Sequence, residues 1–274
     1  MTTCAPASLD GQVALITGAT SGIGRAIALR LATEGVQIAV VAGADLSRAA
    51  ETVEVISRAD GQATAFQADV SKGDQVKRLV DEVASRLGAP DILVNSAGVW
   101  FETPLSEPAE PAGDGLTEDE LDRMVDINLK GVVRMTAAVA PLMVRRGSGR
   151  IVNIASAAGI APSARFSLYA ATKAGVIAFT KAAALELAGA NVAVNAIAPG
   201  NTATPINAHV RLGPDHLERR DWIRRTTPSQ RLFTPPEEIA EAALVLVDGR
   251  INGFHGAVIS IDEGRTAGIT LGAG

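Results

Sequence analysis

Aromatic side chains are scarce in this 274-residue chain, which has six Phe, two Trp and a single Tyr. Cysteine is almost absent: Cys4 stands alone, so no disulfide can form within the chain and a reducing compartment is the default. Positive charge is not in excess either. With 25 Lys+Arg against 30 Asp+Glu the formal net charge is −5, which leaves no basic face of the kind nucleic acid requires. Long apolar runs are missing as well. Charge or polarity interrupts even the stretch around Ala137–Val144 before it reaches the roughly 18 residues of a membrane span, so no membrane partner is expected. The opening MTTCAPASLD has neither a basic n-region nor an apolar h-region, and a secretory signal is not expected there. Three scattered histidines and one cysteine offer no metal-ligand spacing, so no metal is expected. These absences point to a cytoplasmic globular protein whose partner is a small molecule.

What the chain does have is rhythm. Short β-branched runs at Gln12–Thr17, Gln37–Val41, Ala63–Gln67, Asp91–Val94, Ile151–Ile154, Val192–Ile197 and Ala257–Ile261 alternate with helical patterns. The helices are expected near Ile23–Glu34, Leu46–Ala59, Lys72–Leu87, Glu118–Val144, Ser167–Leu187 and Pro236–Val247. The strands read as continuous apolar runs, as they do when helices cover both faces of a parallel sheet. The expected fold class is therefore α/β, a doubly wound, mostly parallel seven-stranded sheet in one domain spanning residues 1–274. Two segments break the rhythm. Pro108–Gly115 reads PAEPAGDG and is expected to be a surface loop. Asn201–Pro235 is a long connection with two histidines and six arginines against three acids, expected to act as a lid or binding loop.

The first strand runs into Thr17-Gly18-Ala19-Thr20-Ser21-Gly22-Ile23-Gly24, which opens a helix. Glycines here let the backbone turn sharply and approach a pyrophosphate, with the free N–H groups of the helix terminus facing it. The spacing is G-x-x-x-G-x-G, not the commoner G-x-G-x-x-G. After the second strand, Asp45 stands where an acid would bond a ribose hydroxyl, or simply caps the next helix. Arg48 reads as a solvated helix residue.

Ser156 follows the fifth strand run, Tyr169 comes thirteen residues later and Lys173 four further on. On a helix, positions 169 and 173 share a face, placing an ammonium near the phenol. Lowering the tyrosine pKa by about 3, worth about 4 kcal/mol, would fit it for proton exchange at neutral pH. A Ser156 hydroxyl at the strand end would bond an oxygen on which negative charge develops.

Taken in order, TGATSGIG at Thr17–Gly24, Asp69-Val70, Asn95-Ser96-Ala97-Gly98, Asn128 in DINLKG, Ser156, Tyr169/Lys173 and Pro199-Gly200 strongly resemble the short-chain dehydrogenase/reductase superfamily, from about Gly11 to Gly264. The resemblance implies a Rossmann-type fold and hydride transfer between a nicotinamide coenzyme, NAD(P)(H), and a ketone or secondary alcohol. It casts Tyr169 as general acid/base and Ser156 as the group that holds the carbonyl oxygen. It casts Lys173 as ligand of the nicotinamide ribose and Asn128 as holder of a relay water. For the coenzyme it implies Gly18, Thr20, Ser21, Gly22, Ile23 and Gly24 at the pyrophosphate, with Asp69 and Val70 at the adenine. Asn95, Ala97 and Gly98 would line the adenine-ribose side, and Pro199, Gly200, Thr202 and Thr204 the nicotinamide. The position where NAD-dependent members carry Asp is Ala42, and where NADP-dependent members carry Arg it is Gly43; with no cation placed for a 2′-phosphate, NAD is expected.

By position the substrate pocket is expected at Trp100, Phe101, Ala157, Ala158, Ser163, Phe166 and the lid. Trp100 and Phe101 read equally as packing of a loop stem, and the lid arginines as steering for an anion or as a solvated helix face. His209 and His216 read as exposed lid residues. Ser167–Leu187 is apolar on nearly every side, so a homo-oligomer, dimer or tetramer, is expected through it and Asp126–Val144. Two alternatives stand beside this reading: a dehydrogenase of a cyclic diol, and a non-catalytic dinucleotide-binding protein. A sugar-nucleotide epimerase is disfavoured, since no sizeable C-terminal substrate domain follows.

Overall fold

The structure is a computed structural model that describes residues 9–106 and 115–268. Cys4 and all of the Pro108–Gly115 loop but its last residue lie outside the described residues. Seven strands form one sheet in the order β3-β2-β1-β4-β5-β6-β7: β1 (Val13–Thr17), β2 (Gln37–Ala42), β3 (Ala63–Gln67), β4 (Ile92–Asn95), β5 (Gly149–Ile154), β6 (Val192–Pro199) and β7 (Val258–Ile261). Every neighbouring pair is parallel, so the sheet is wholly rather than mostly parallel.

Among the described residues nine α-helices connect or follow the strands: α1 (Gly22–Ala32), α2 (Leu46–Arg58), α3 (Gly73–Arg86), α4 (Glu118–Val125), α5 (Gly131–Arg146), α6 (Ser167–Leu187), α7 (Ala208–Leu212), α8 (Leu217–Thr226) and α9 (Pro236–Val247). The two-residue period of a strand divides the core. In β1, Ala14 and Ile16 face the cluster built with α1, α2 and α9, while Val13 and Leu15 face the cluster of α3, α5 and α6. Both faces are thereby buried, which is why the strands carry no alternating polar residue.

Local chemistry sets the helix ends. Thr117 and Glu120 form a reciprocal capping box at the start of α4. Gly147 ends α5 at φ 75°, a left-handed position that costs glycine little. Between α4 and α5 the expected single helix widens into a π-helical turn, Asp126–Lys130, which carries Asn128 inward. Within Glu118–Arg146 an 18-residue window is, by length and composition alone, apolar enough to cross a membrane, although charges interrupt the stretch as expected. Met124, Val132, Met135, Val139 and Met143 of this stretch are nevertheless buried within the protein.

Under the carboxyl ends of the central strands runs a buried polar chain. The Asn95 amide donates to Asn153 Oδ1 (2.8 Å) and Thr136 Oγ1 (3.2 Å), and Asn153 donates to Thr180 Oγ1 (2.9 Å). It ties α5 and α6 to β4 and β5 at one height. In a dry core each member needs its partner. Asn153→Ala removes one acceptor of the Asn95 amide, which keeps Thr136, and the donor to the Thr180 hydroxyl, which keeps its bond to the Val176 carbonyl, and leaves a cavity; it is expected to lower stability by about 1–3 kcal/mol in urea unfolding. A loss below about 1 kcal/mol contradicts the network's role.

Candidate active site

In the strand order, β2 and β4 leave β1 in opposite directions, and a crevice opens there at the carboxyl ends. A cavity of about 650 Å³ occupies it. One side is the turn between β1 and α1. Gly18 adopts φ 66°, and a Cβ there would meet the Ala97 backbone at 2.9 Å; a Cβ on Gly24 would meet the Gly18 carbonyl oxygen at 2.4 Å. Only hydrogen fits at either position. Thr17 Oγ1 accepts from the Ser96 and Ala97 N–H groups at 3.1 and 3.2 Å, which fixes the β4 loop against this turn. The N-terminus of α1 has no side-chain cap and no acid in its first turn. Its open N–H groups and positive dipole end therefore suit an anionic pyrophosphate, and the residues present fit a dinucleotide.

Gly18, Thr20, Ser21, Gly22, Ile23 and Gly24 all line the cavity, as do Asp69 and Val70. Asp69 has one carboxylate oxygen bonded to the Ser71 N–H at 2.8 Å. Ala97, Gly98, Pro199, Gly200, Thr202 and Thr204 complete the walls. Three expected residues are elsewhere. Asp45 is exposed and not on the cavity; its carboxylate accepts from Ser47 N at 2.9 Å and Ser47 Oγ at 2.6 Å, capping α2. Of its two readings, the structure shows the cap. Asn95 points beneath the sheet into the buried polar chain, because the pleat at the end of β4 turns it away from the cleft. Asn128 is fully buried and clamps Val99 in both directions, donating to its carbonyl (2.9 Å) and accepting from its N–H (2.8 Å). Its side-chain amide is thus committed to backbone rather than open to the cleft.

On the cavity floor lie Ser156, Tyr169 and Lys173. Ser156 sits just beyond β5, where its hydroxyl accepts from the Ala158 N–H at 3.2 Å. Tyr169 is in the first turn of α6 and Lys173 one turn on. The Lys173 ammonium donates to the Ile154 carbonyl at 2.9 Å and lies 5.8 Å from the centre of the Tyr169 ring. Burial pushes the lysine down to about 8. Burial also holds the Tyr169 phenol above its ordinary value, with the hydrogen bond to Ser156 pulling the other way. The Lys173 ammonium spends its hydrogen bond on the Ile154 carbonyl, and its expected depression of the phenol belongs to the proposal below.

The far end is walled by aromatics. Trp100 stacks on Phe166, centroids 5.2 Å apart, and both line the cavity with Ala157, Ala158 and Ser163, whereas Phe101 does not. His209 is exposed and packs at 5.8 Å on Trp100, outside the lining. The lid contributes Arg219, Trp222, Ile223 and Thr226 from one face of α8, and Arg265 joins them from the turn after β7. Arg265 and Trp222 were not singled out by sequence reasoning. The helical spacing 219, 222, 223, 226 marks the α8 face, but nothing in the sequence brings residue 265 beside it.

Known proteins share this fold. A family model for short chain dehydrogenases matches residues 12–215. The chain belongs to the short-chain dehydrogenase family. It is an NAD(P)-dependent oxidoreductase of that family. It is 42% identical over 253 residues to a 3-oxoacyl-acyl-carrier-protein reductase of Staphylococcus aureus, covering 92% of this chain and 96% of the relative. A 3beta-hydroxysteroid dehydrogenase 1 of Eggerthella lenta is 38% identical over 259 residues, 94% and 95% of the two chains. The crystal structure of a gluconate 5-dehydrogenase from Burkholderia cenocepacia, in complex with NADP and tartrate, superposes with a TM-score of 0.86 at 31% identity, covering 95% of this chain and 97% of that one.

The lysine's depressed value gives a direct check on the floor. Lys173 is charged below about 8 and neutral above it, so its Nζ resonance, assigned by its loss in Lys173→Met, is expected to titrate at about 8. A midpoint near the ordinary 10.5 contradicts a desolvated ammonium.

Proposed function

We propose that this short-chain dehydrogenase interconverts a ketone and a secondary alcohol with Tyr169 as the proton carrier. The observation that carries the reading is the meeting of Ser156, Tyr169 and Lys173 on the floor of the same cavity whose far wall is the glycine turn. The coenzyme, when bound, supplies or accepts the hydride. Gly18, Thr20, Ser21, Gly22, Ile23 and Gly24 hold its pyrophosphate, with Asp69, Val70, Ala97 and Gly98 on the adenosine side. Pro199, Gly200, Thr202 and Thr204 lie at the nicotinamide, and Lys173 holds its ribose. Asn128, whose side-chain amide bonds the Val99 backbone, remains the holder of a relay water in this proposal.

In reduction, the Tyr169 O–H donates its proton to the carbonyl oxygen while the Ser156 hydroxyl donates a hydrogen bond to the same atom. In oxidation the phenolate takes the proton back from the alcohol. A phenol held above its ordinary value is protonated at neutral pH, the form that reduction needs. Asn128 acts as a positioning residue, setting the Val99 backbone beside the cleft.

For the coenzyme's 2′ position, Gly43 lines the cavity with open space at its Cβ, and no cation lines that end. Asp45 does not reach it. That openness is the support for NAD; the NADP bound to the Burkholderia relative stands on the other side. The low-cysteine chain is read as a cytoplasmic enzyme. A homo-oligomer, dimer or tetramer, is supported by the exposed face Ala171, Ala174, Ala178, Ala182 and Leu185 of α6, with Leu185 86% exposed, and by exposed Val133 and Val144 on α5.

Initial rates over a panel of ketones and alcohols with both coenzymes test the chemistry. Tyr169→Phe is expected to lower kcat about a hundred- to ten-thousand-fold while coenzyme still binds, and Lys173→Met to impair both. Appreciable residual turnover in Tyr169→Phe overturns the role, and a clear NADP preference in KM overturns the choice of NAD. Sedimentation is expected to show a dimer or tetramer, and a monomer at micromolar concentration refutes the α6 interface.

A further inference from the structure

Two guanidinium groups face the substrate end of the cavity, and among the described residues no acid lines it there. Arg219, on α8, donates to Glu102 Oε1 at 2.8 Å and lies 5.3 Å above the Phe166 ring. Phe166 immediately precedes α6, three residues before Tyr169. Glu102 is shared with Arg165 at 2.6 Å, so this carboxylate is already saturated by two arginines. Arg265 is different. It lies 5.6 Å over the Trp222 ring, is half-buried, and has no ion pair or side-chain hydrogen bond among the described residues. Asp262, the nearby acid, spends its carboxylate on the Gly264 and Thr266 N–H groups at 3.1 and 2.8 Å. Burial lowers the Arg265 value, Asp262 opposes that, and the field of Arg219 adds to it. A half-desolvated guanidinium beside a second one, with no partner, is a costly arrangement unless a ligand neutralises it.

A further donor lines the same cavity. Asn201 Nδ2 is buried without an acceptor. The Gly200 N–H bonds the Ile261 carbonyl at 2.9 Å, which sets Asn201 near the turn bearing Arg265. Donors without acceptors on one wall call for an anion or an oxygen-rich group.

We propose that the substrate carries a carboxylate, received between Arg265 and Arg219 while its carbonyl or hydroxyl carbon lies at Tyr169 and Ser156. This rests on the reading of Tyr169 given above and names the substrate class for that site. Arg219 already shares Glu102, and Asp262 is spent on backbone N–H groups, so Arg265 is the guanidinium left to meet a single anionic group. The planar fork of Arg265 matches a planar carboxylate in a bidentate pair. Arg219 belongs to the lid helix and Arg265 to the turn after β7, so the bound carboxylate also pins the lid to the sheet. The aromatic faces of Trp100, Phe166 and Trp222 accept the carbon chain between the two ends.

The test pairs acetoacetate and levulinate with their methyl esters, under the enzyme's preferred coenzyme. Acid over ester is expected to be favoured at least about tenfold in kcat/KM, the scale of one charge-assisted hydrogen bond. In Arg265→Gln that ratio is expected to fall about tenfold or more, and in Arg265→Lys, which keeps the charge without the fork, by less. Binding is read independently, because both tryptophans of the chain, Trp100 and Trp222, line the cavity. Levulinate is expected to change their fluorescence saturably, the neutral ester far less, and Arg265→Gln to weaken the levulinate response. Equal use of acid and ester, or a levulinate response unchanged in Arg265→Gln, overturns the proposal while Tyr169-dependent turnover stands. Inorganic phosphate displacing levulinate at equal concentration overturns the choice of carboxylate. Turnover that survives Tyr169→Phe overturns instead the reading on which the proposal rests.

Discussion

One hydrogen bond sets the geometry of the proposed reacting centre: the Lys173 ammonium on the Ile154 carbonyl, 2.9 Å long and buried inside the protein. Ile154 is the last residue of β5 and Lys173 lies in the second turn of α6, so the bond fixes the height of the helix against the strand end. Ser156 then follows two residues after the acceptor, and Tyr169 precedes the donor by one turn. A buried cation is expensive, and this one has a single carbonyl to offset the cost, which is why its proton is held loosely. Asn153, one residue before Ile154, bonds Thr180 two turns further along α6. The two bonds hold the same helix to the same strand and prevent it from sliding.

The rest of the cleft divides by charge. The glycine turn supplies backbone N–H groups at a helix terminus, a rigid surface shaped for phosphate and walled by β1 and β4. The lid supplies aromatic faces and arginines from α8. The bridge between Thr202 and Thr234 ties the start of that excursion to its end, and Ile223 and the Arg219–Glu102 ion pair seat α8 on the protein.

The sequence made the frame legible because burial leaves strong periodic signals. Ser167–Leu187 and Pro236–Val247 are helices over the expected ranges, and all seven strand runs are strands within about two residues at each end. The glycine turn, Ser156, Tyr169 and Lys173 were legible because backbone approach and proton transfer demand those residue types. Side-chain direction was not. Whether Asn95 faces the cleft or the core depends on one pleat, and Asn128 reaches Val99 only through a π-helical turn that no propensity signals. Asp45 was ambiguous in principle, since a cap and a ribose ligand call for the same residue. Arg265 needed the tertiary fold, because 46 residues separate it from Arg219. The direction of the Tyr169 shift was not legible for a related reason: pairing at i and i+4 shows that a cation is near, and says nothing of how buried the phenol is.

The charge state of the phenol is the quantity on which the proposed proton transfer turns. The chain has one tyrosine, so the absorbance of tyrosinate reports Tyr169 alone. In the folded, coenzyme-free protein it is predicted to titrate above the ordinary value of about 10, and higher still in Ser156→Ala, which removes the opposing hydrogen bond. Titration well below 10, returning toward 10 in Lys173→Met, would contradict the account and restore the lysine as the controlling charge.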